Sequence, residues 1–389
     1  MNTDTIGLDY KLAKTKSQLI KVIGVGGGGG NAVNYMYQQG ITDVSFALCN
    51  TDQWALSESP IETKIQLGTG LGAGGRPMVS QEAAENAKEE IESMLEEAQM
   101  VFITASMGGG TGTGAAPIIA RIAKEKKILT VGVVSVPFAW EGKKKFKIAY
   151  EGVIELSKNV DALLVIQNSK LKDAYPDLTF KNALGKVNEV LCQAVKGIAE
   201  IITVTGYINL DFADVDSTMR NGGFVLMNIG EGEGEDRVGK ALKNALDSPL
   251  VQDTGYQRAK RMLFNLYCSE DFPQEEIETF VDFMEQMDED IELIWGVTFD
   301  NELGDKVKIT LIVTGFGSDV IPEFKELNES ADLTSDEKEN GDSIVDNVLK
   351  RLKNKTSTNR LQLEMLDDLD RLEELETTPA IKRMNLFVK

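Results

Sequence analysis

Two kinds of side-chain grouping in this chain could do chemistry: glycines interleaved with hydroxyls, and carboxylates at close spacing. The first is Gly108-Gly109-Gly110-Thr111-Gly112-Thr113-Gly114. Glycines let the backbone turn tightly and bring amide N–H groups against a ligand, and a helix start directly after them adds unpaired donors and a partial positive charge. That combination is a phosphate cradle. It lacks the Gly-Lys-Ser/Thr ending of a P-loop, so no lysine sits inside it, and Thr111 and Thr113 supply hydroxyls for phosphate oxygens or a metal-bound water. A second run, Gly26-Gly27-Gly28-Gly29-Gly30-Asn31, contains the spacing Gly24-x-Gly26-x-x-Gly29 of a dinucleotide fingerprint. This leaves a NAD(P)-dependent oxidoreductase open, with Asp52 on a ribose hydroxyl. The second cradle argues against it, because a dinucleotide fold uses one pyrophosphate loop. A third glycine loop spans Leu67 to Pro77. The carboxylate set is Asn209-x-Asp211-x-Ala213-Asp214, whose acids suit orientation of an attacking water. The alternative is a cap on a helix over Val215 to Met219.

These residues need elements to hold them. Val101 to Ala105 is an apolar run that reads as a buried strand into the first cradle. Ala115 to Lys124 reads as the helix after it, with Pro117 in the first turn where its missing N–H costs nothing. Leu19 to Gly26 is a strand entering the second glycine run, and a helix starts at Asn31. Further strands are expected at Val44 to Cys49, Ile128 to Val136 and Val160 to Asn168, and an acidic amphipathic helix at Glu82 to Glu97. Thr179 to Ile202 has a long helical period, with Leu184, Val187, Leu191, Ala194, Ile198 and Ile201 on one face. At 1.5 Å per residue it spans about 35 Å, and Leu184 and Asn188 lie one turn apart on it. The remainder reads βαβαββ, closing with a hairpin across Asn301 to Asp305. From Ser318 the composition becomes that of a disordered linker.

Composition narrows the classes. A net charge of −21 over 389 residues argues against a nucleic-acid binder, which would need a basic face. The absence of histidine removes a His-based triad and the usual zinc sites. Cys49, Cys192 and Cys268 are far apart and read as buried hydrophobes in a reducing cytoplasm. The first residues lack the apolar core of a signal peptide, and no apolar run approaches a membrane span. Neither a membrane insertion nor a protein-held metal is expected.

The loop Gly108 to Gly114 is the signature of the tubulin/FtsZ superfamily, and the chain resembles that family from Leu19 to Phe316, with a weaker match in the tail. The resemblance implies an α/β protein: a flexible segment 1–18, a Rossmann-like parallel-sheet GTP-binding domain 19–178, a long central helix 179–206, a second α/β domain 207–316, an acidic linker 317–375 and a partner-binding tail 376–389. It implies GTP and GDP as ligands, with Mg²⁺ on the phosphates. The backbone of Gly72, Ala73 and Gly74 would sense the terminal phosphate, and Asn50-Thr51-Asp52 would belong to the nucleotide side of a subunit contact. Glu141 would hold the ribose, and Asn168 would contact ribose or base. Lys145 stands where the family usually has arginine, which keeps the charge and loses the planar fork. Leu184 stands where the family commonly has an aromatic stacked on guanine, and Asn188 would read the base edge. Asn209, Asp211 and Asp214 match the family's catalytic loop, which completes the site of the neighbouring subunit. Head-to-tail filaments at a mid-cell division site in the cytoplasm follow, with division proteins and membrane tethers meeting Pro379 to Arg383. A scaffold that uses GTP for assembly without hydrolysis is the remaining alternative.

Overall fold

The computed structural model describes residues 19–316, apart from 176, 178, 247–258, 286 and 288–289. The N-terminal segment, the acidic linker and the tail expected from the sequence lie outside these residues. The first half runs β1 (Ile20–Val25), α1 (Gly26–Gln38), β2 (Ser45–Asn50), α2 (Gln53–Glu58), β3 (Thr63–Gln66), α3 (Pro77–Asn86), α4 (Lys88–Met94), β4 (Met100–Ser106), α5 (Thr111–Glu125), β5 (Leu129–Val136), α6 (Lys143–Asn159), β6 (Ala162–Gln167) and α7 (Asn168–Ala174). The long helix α8 (Phe180–Thr203) follows, then α9 (Phe212–Met219), β7 (Gly223–Glu233), α10 (Arg237–Leu246), β8 (Arg261–Cys268), α11 (Gln274–Glu285), β9 (Glu292–Phe299) and β10 (Lys306–Phe316).

The strands form one sheet in the order β3-β2-β1-β4-β5-β6-β7-β10-β8-β9. β1 to β6 are all parallel, and helices on both faces explain why β4 and β5 are apolar along nearly their whole length. The strand order runs outward in opposite directions from β1 and β4, so the crevice at their C-terminal ends is a topological switch point, the usual ligand position of an open α/β sheet. Both main glycine runs leave from these two strands. β6 meets β7 through two residue pairs, beyond which β7, β10 and β8 are antiparallel.

Four local expectations change. α1 begins at Gly26, five residues before Asn31, so the glycines are the helix's first turn. Close packing demands them there: a Cβ on Gly29 would lie 2.2 Å from the Thr104 carbonyl oxygen of β4. α5 likewise begins at Thr111, which puts Pro117 inside the helix instead of in its first turn. The acidic helix breaks at Ala87 into α3 and α4. The closing hairpin does not form: β10 pairs with β7 and β8, while β9 pairs in parallel with the far side of β8. Burial decides this, since β10 is buried along most of its length and takes an interior position, whereas β9 is half-exposed over its first half and forms the edge.

Candidate nucleotide site

At the switch point the ends of β1, β4, β5 and β6 and the start of α8 enclose a cavity of about 350 Å³. Gly27, Gly28 and Asn31 of α1 line it, as do Gly109, Gly110, Thr111 and Gly112 leading into α5. Two helix N-termini therefore converge on one space, each with unpaired amides and a partial positive charge. Gly108 turns with φ +95°, a conformation suited to glycine, and its N–H donates to Thr113 Oγ1 at 2.9 Å, which pins the turn. Thr111 Oγ1 lies 2.7 Å from Thr51 Oγ1, joining the cradle to the end of β2.

The opposite wall carries Glu141, Lys145 and Asn168 from the β5 and β6 side, with Leu184 and Asn188 from the first turns of α8. The Glu141 carboxylate accepts from the Phe138 N–H at 2.8 Å and pairs with the Lys145 ammonium one turn on. Asn168 is 5% exposed, and its Oδ1 has no hydrogen-bond partner. A buried acceptor left empty in a cavity fits a ligand that brings a donor. Leu184 is half-exposed to this cavity, in contrast to Val187, Leu191, Ala194, Ile198 and Ile201, which are buried as their spacing requires.

Several expected site residues sit behind the lining. Gly26, Gly29, Gly30, Gly108, Thr113 and Gly114 shape the turns and helix packing without reaching the cavity. A Cβ on Gly114 would lie 2.0 Å from the Pro77 carbonyl oxygen, so that glycine lets α3 approach α5. Gly72, Ala73 and Gly74 also lie outside the lining. The Gly72 N–H donates to Thr51 O at 2.8 Å, and a Cβ on Gly110 would come within 2.8 Å of the Ala73 Cβ. Ser106 and Ser135, which the sequence did not single out, do line the cavity. Each is a hydroxyl at or next to the C-terminal end of a buried strand that is mostly apolar.

Asp52 caps α2, accepting from the Trp54 and Ala55 N–H groups, and does not face the cavity. With both glycine turns on one cavity, this removes the dinucleotide reading. Burial pushes the thiols of Cys49 up to about 12 and of Cys192 and Cys268 up to about 11, so none is a thiolate nucleophile. Among the described residues no cluster of acids and thiols could hold a metal ion, and no helix is long and apolar enough to cross a membrane.

Asn209, Asp211 and Asp214 lie at the other end of α8. The 24 residues of α8 extend about 36 Å, and none of the three lines the cavity at its start. The loop is tied to β9, where Tyr207 N–H donates to Val297 O at 2.7 Å and Val297 N–H returns to Ile208 O at 3.0 Å. Asn209 Oδ1 accepts from the Gly206 N–H. Asp211 and Asp214 form a reciprocal capping box at the start of α9. The cap weighed against catalysis in the sequence is thus present, and it uses both acids, not one. It engages Oδ1 of Asp211 and Oδ2 of Asp214, leaving the other oxygen of each outside the box.

A larger cleft, of about 520 Å³, runs between α8 and β7. It has no glycine turn, and its cations Lys196 and Lys308 both lie 3.6 Å from the Glu200 carboxylate. The glycine cavity is therefore the site on chemical grounds.

Residues 19–176 match the GTPase domain of the Tubulin/FtsZ family, and residues 223–317 match the C-terminal domain of the FtsZ family. The chain is 49% identical over 313 residues to the cell division protein FtsZ of Porphyromonas gingivalis, covering 78% of this chain and 68% of that protein. An FtsZ dimer from M. jannaschii superposes with a TM-score of 0.71 at 41% identity, covering 76% of this chain and 88% of that one. CetZ2 from Haloferax volcanii, solved as a GTPγS-bound protofilament, shares the fold alone, at 19% identity and a TM-score of 0.67 over 81% of this chain and all of that one. Sequence, fold and the placement of the glycine turns agree: the chain belongs to the tubulin/FtsZ family and is a GTPase.

Proposed function

We propose that the chain assembles head to tail into filaments that form a bacterial cell-division ring in the cytoplasm. Each nucleotide site would be completed by Asn209, Asp211 and Asp214 of the next copy. The carrying observation is the separation along α8: the cavity sits at its start and the acidic loop follows its end. Side chains cannot bridge about 36 Å, whereas a translated copy can bring one end to the other. Such a contact is heterologous and extends without closing. The dimer among the structural relatives supports self-association.

Within the site, the amides of Gly27, Gly28 and Gly109 to Gly112 would hold the phosphates. Leu184 would cover the base and Asn188 would meet its edge. Among the described residues Glu141 is the one acid lining the cavity, so Mg²⁺ would take its oxygens mainly from the phosphates, with the Thr111 hydroxyl or a water it orients. It would supply charge neutralisation on the leaving group. The outward oxygens of Asp211 and Asp214 would orient the attacking water in the neighbour's site. The tail 376–389 would carry contacts to division proteins and membrane tethers.

Light scattering with GTP, GDP and ATP, with phosphate release measured alongside, tests this reading. Scattering should rise with GTP, and per-subunit hydrolysis should climb steeply with protein concentration. Hydrolysis strictly linear in concentration down to monomeric dilution would remove the shared site. Scattering without phosphate release would leave a non-hydrolysing scaffold.

A further inference from the structure

Asp211 and Asp214 stand at the start of α9, and Arg220 follows its last residue. The Arg220 N–H donates to Asp216 O at 2.7 Å and closes the last turn. Its Nε donates to Asp216 Oδ1 at 3.0 Å, and its Nη1 lies 3.7 Å from Asp161 Oδ2. Asp161 precedes β6 and is 2% exposed. Its Oδ2 also accepts from the Thr130 N–H at 3.0 Å, and its Oδ1 lies 3.6 Å from Lys124 near the end of α5. Its carbonyl accepts from the Gly223 N–H at 3.0 Å, where β7 begins. From the other half of the sheet, Thr314 Oγ1 of β10 donates to Thr218 O at 2.8 Å, and Arg261 Nη1 of β8 donates to Arg220 O at 3.4 Å. The last turn of α9 is thus anchored to the start of β6 on one side and to β8 and β10 on the other. This is the junction where β6 and β7 share only two residue pairs.

α9 is eight residues long, which is about 12 Å. Its anchors sit at the C-terminal end and the acids ride on the N-terminal end. A tilt of about 5° over that length moves the acids by about 1 Å, and misplacement on that scale can cost about 10²-fold in rate. The Val297 bridge holds the loop ahead of the acids, and Arg220 holds the helix behind them. An apolar contact at this junction would tolerate sliding, whereas a buried carboxylate sets both the distance and the direction of a guanidinium. Stability alone does not call for such a pair, because its desolvation offsets much of its attraction. We propose that Arg220, held by Asp161, is a positioning residue for hydrolysis: it sets the angle of α9 and so aims Asp211 and Asp214 at the attacking water in the neighbour's site. Arg220 does not line the nucleotide cavity, and it acts through the two acids. This rests on the shared-site reading above and names what sets the geometry of the loop that one copy offers the next.

The test uses the full chain at a concentration where wild type assembles with GTP, and phosphate release is divided by the polymer recovered on sedimentation. Arg220→Gln and Asp161→Asn should each lower kcat by about tenfold. The GTP concentration for half-maximal rate should not move, nor should GDP affinity measured below the assembly concentration. Arg220→Lys keeps a cation beside Asp161 and should keep most of the rate. Combined with Asp214→Asn, Arg220→Gln should add little further loss, because it acts through the same acids, whereas independent effects multiply. Losses that multiply overturn the proposal. So does a wild-type rate per polymer in Arg220→Gln and Asp161→Asn. Loss of polymer in both variants overturns it as well, because the ion pair would then serve the fold or the assembly and not the aim of the acids. An Asp214→Asn chain as active as wild type overturns the shared-site reading itself, a different result from a loop that works without Arg220.

Discussion

Asp211 and Asp214 cap one another. Asp211 Oδ1 accepts from the N–H groups of Ala213 at 2.7 Å and Asp214 at 3.2 Å, and Asp214 Oδ2 accepts from the Asp211 N–H at 2.8 Å. The same two carboxylates thus start α9 and stand as candidates for activating water in a neighbouring copy. Removing either therefore changes helix stability as well as chemistry, and a single alanine variant cannot separate them.

Asparagine at position 214 can. Asp214→Asn keeps an oxygen to accept from the Asp211 N–H but loses the charge. The melting temperature should stay near wild type, while GTP hydrolysis falls by about 10²-fold or more, the scale for losing a group that activates the attacking water. Asp214→Ala should lose the same activity and about 1 kcal/mol of stability as well. Full hydrolysis by Asp214→Asn under assembly conditions would leave the pair as caps and nothing more.

Base selectivity should be blunt. Asn188 both accepts and donates, so it suits the adenine edge as well as guanine, and Leu184 brings no ring to stack. The paired change Leu184→Phe/Asn188→Asp should raise the ratio of GTP to ATP affinity in competition binding. A ratio that falls would mean that other residues read the base.

Gly28 and Ser106 should show strong epistasis. Gly28→Ala places a Cβ 2.2 Å from Ser106 Oγ and 2.4 Å from its Cβ. Overpacking of this kind costs about 1–3 kcal/mol. Adding Ser106→Gly removes both contacts and should restore most of the lost melting temperature. Additive losses in the double variant would show that the clash is relieved by movement of α1 instead.

Asp161 ties two distant helices together. It is 2% exposed, accepts from the Thr130 N–H at 3.0 Å, and stands 3.6 Å from Lys124 in α5 and 3.7 Å from Arg220, just past α9. Asp161→Asn keeps an acceptor for Thr130 but leaves both cations without this partner. Each cation is about a third exposed, so solvent screens part of the loss. Chemical denaturation should show a loss of about 1–3 kcal/mol. GDP affinity should be unchanged, because the carboxylate does not line the cavity. A simultaneous fall in GDP affinity would reveal coupling along α5 to the cradle.

Local residue patterns were enough to point to the chemistry and to most of the elements. Glycine–threonine turns between an apolar strand and a helix start suit a phosphate, and a 3.6-residue apolar period over 24 residues suits a long helix with one buried face. What they left open were relationships between segments far apart in the chain. The position of β10 between β7 and β8 depends on which strand has two apolar faces to bury, so adjacency in sequence misled toward a hairpin. The helical state of the glycines at 26–30 follows from the backbone of β4 pressing against Gly29, which no local propensity contains. Lining by Ser106 and Ser135 arises because β4 and β5 end in register at the switch point. Two serines 29 residues apart in sequence carry no sign of meeting. Capping by Asp211 and Asp214 was visible as spacing, but their distance from the cavity was settled by the rigid length of α8, because a helix fixes separation where a flexible chain would not.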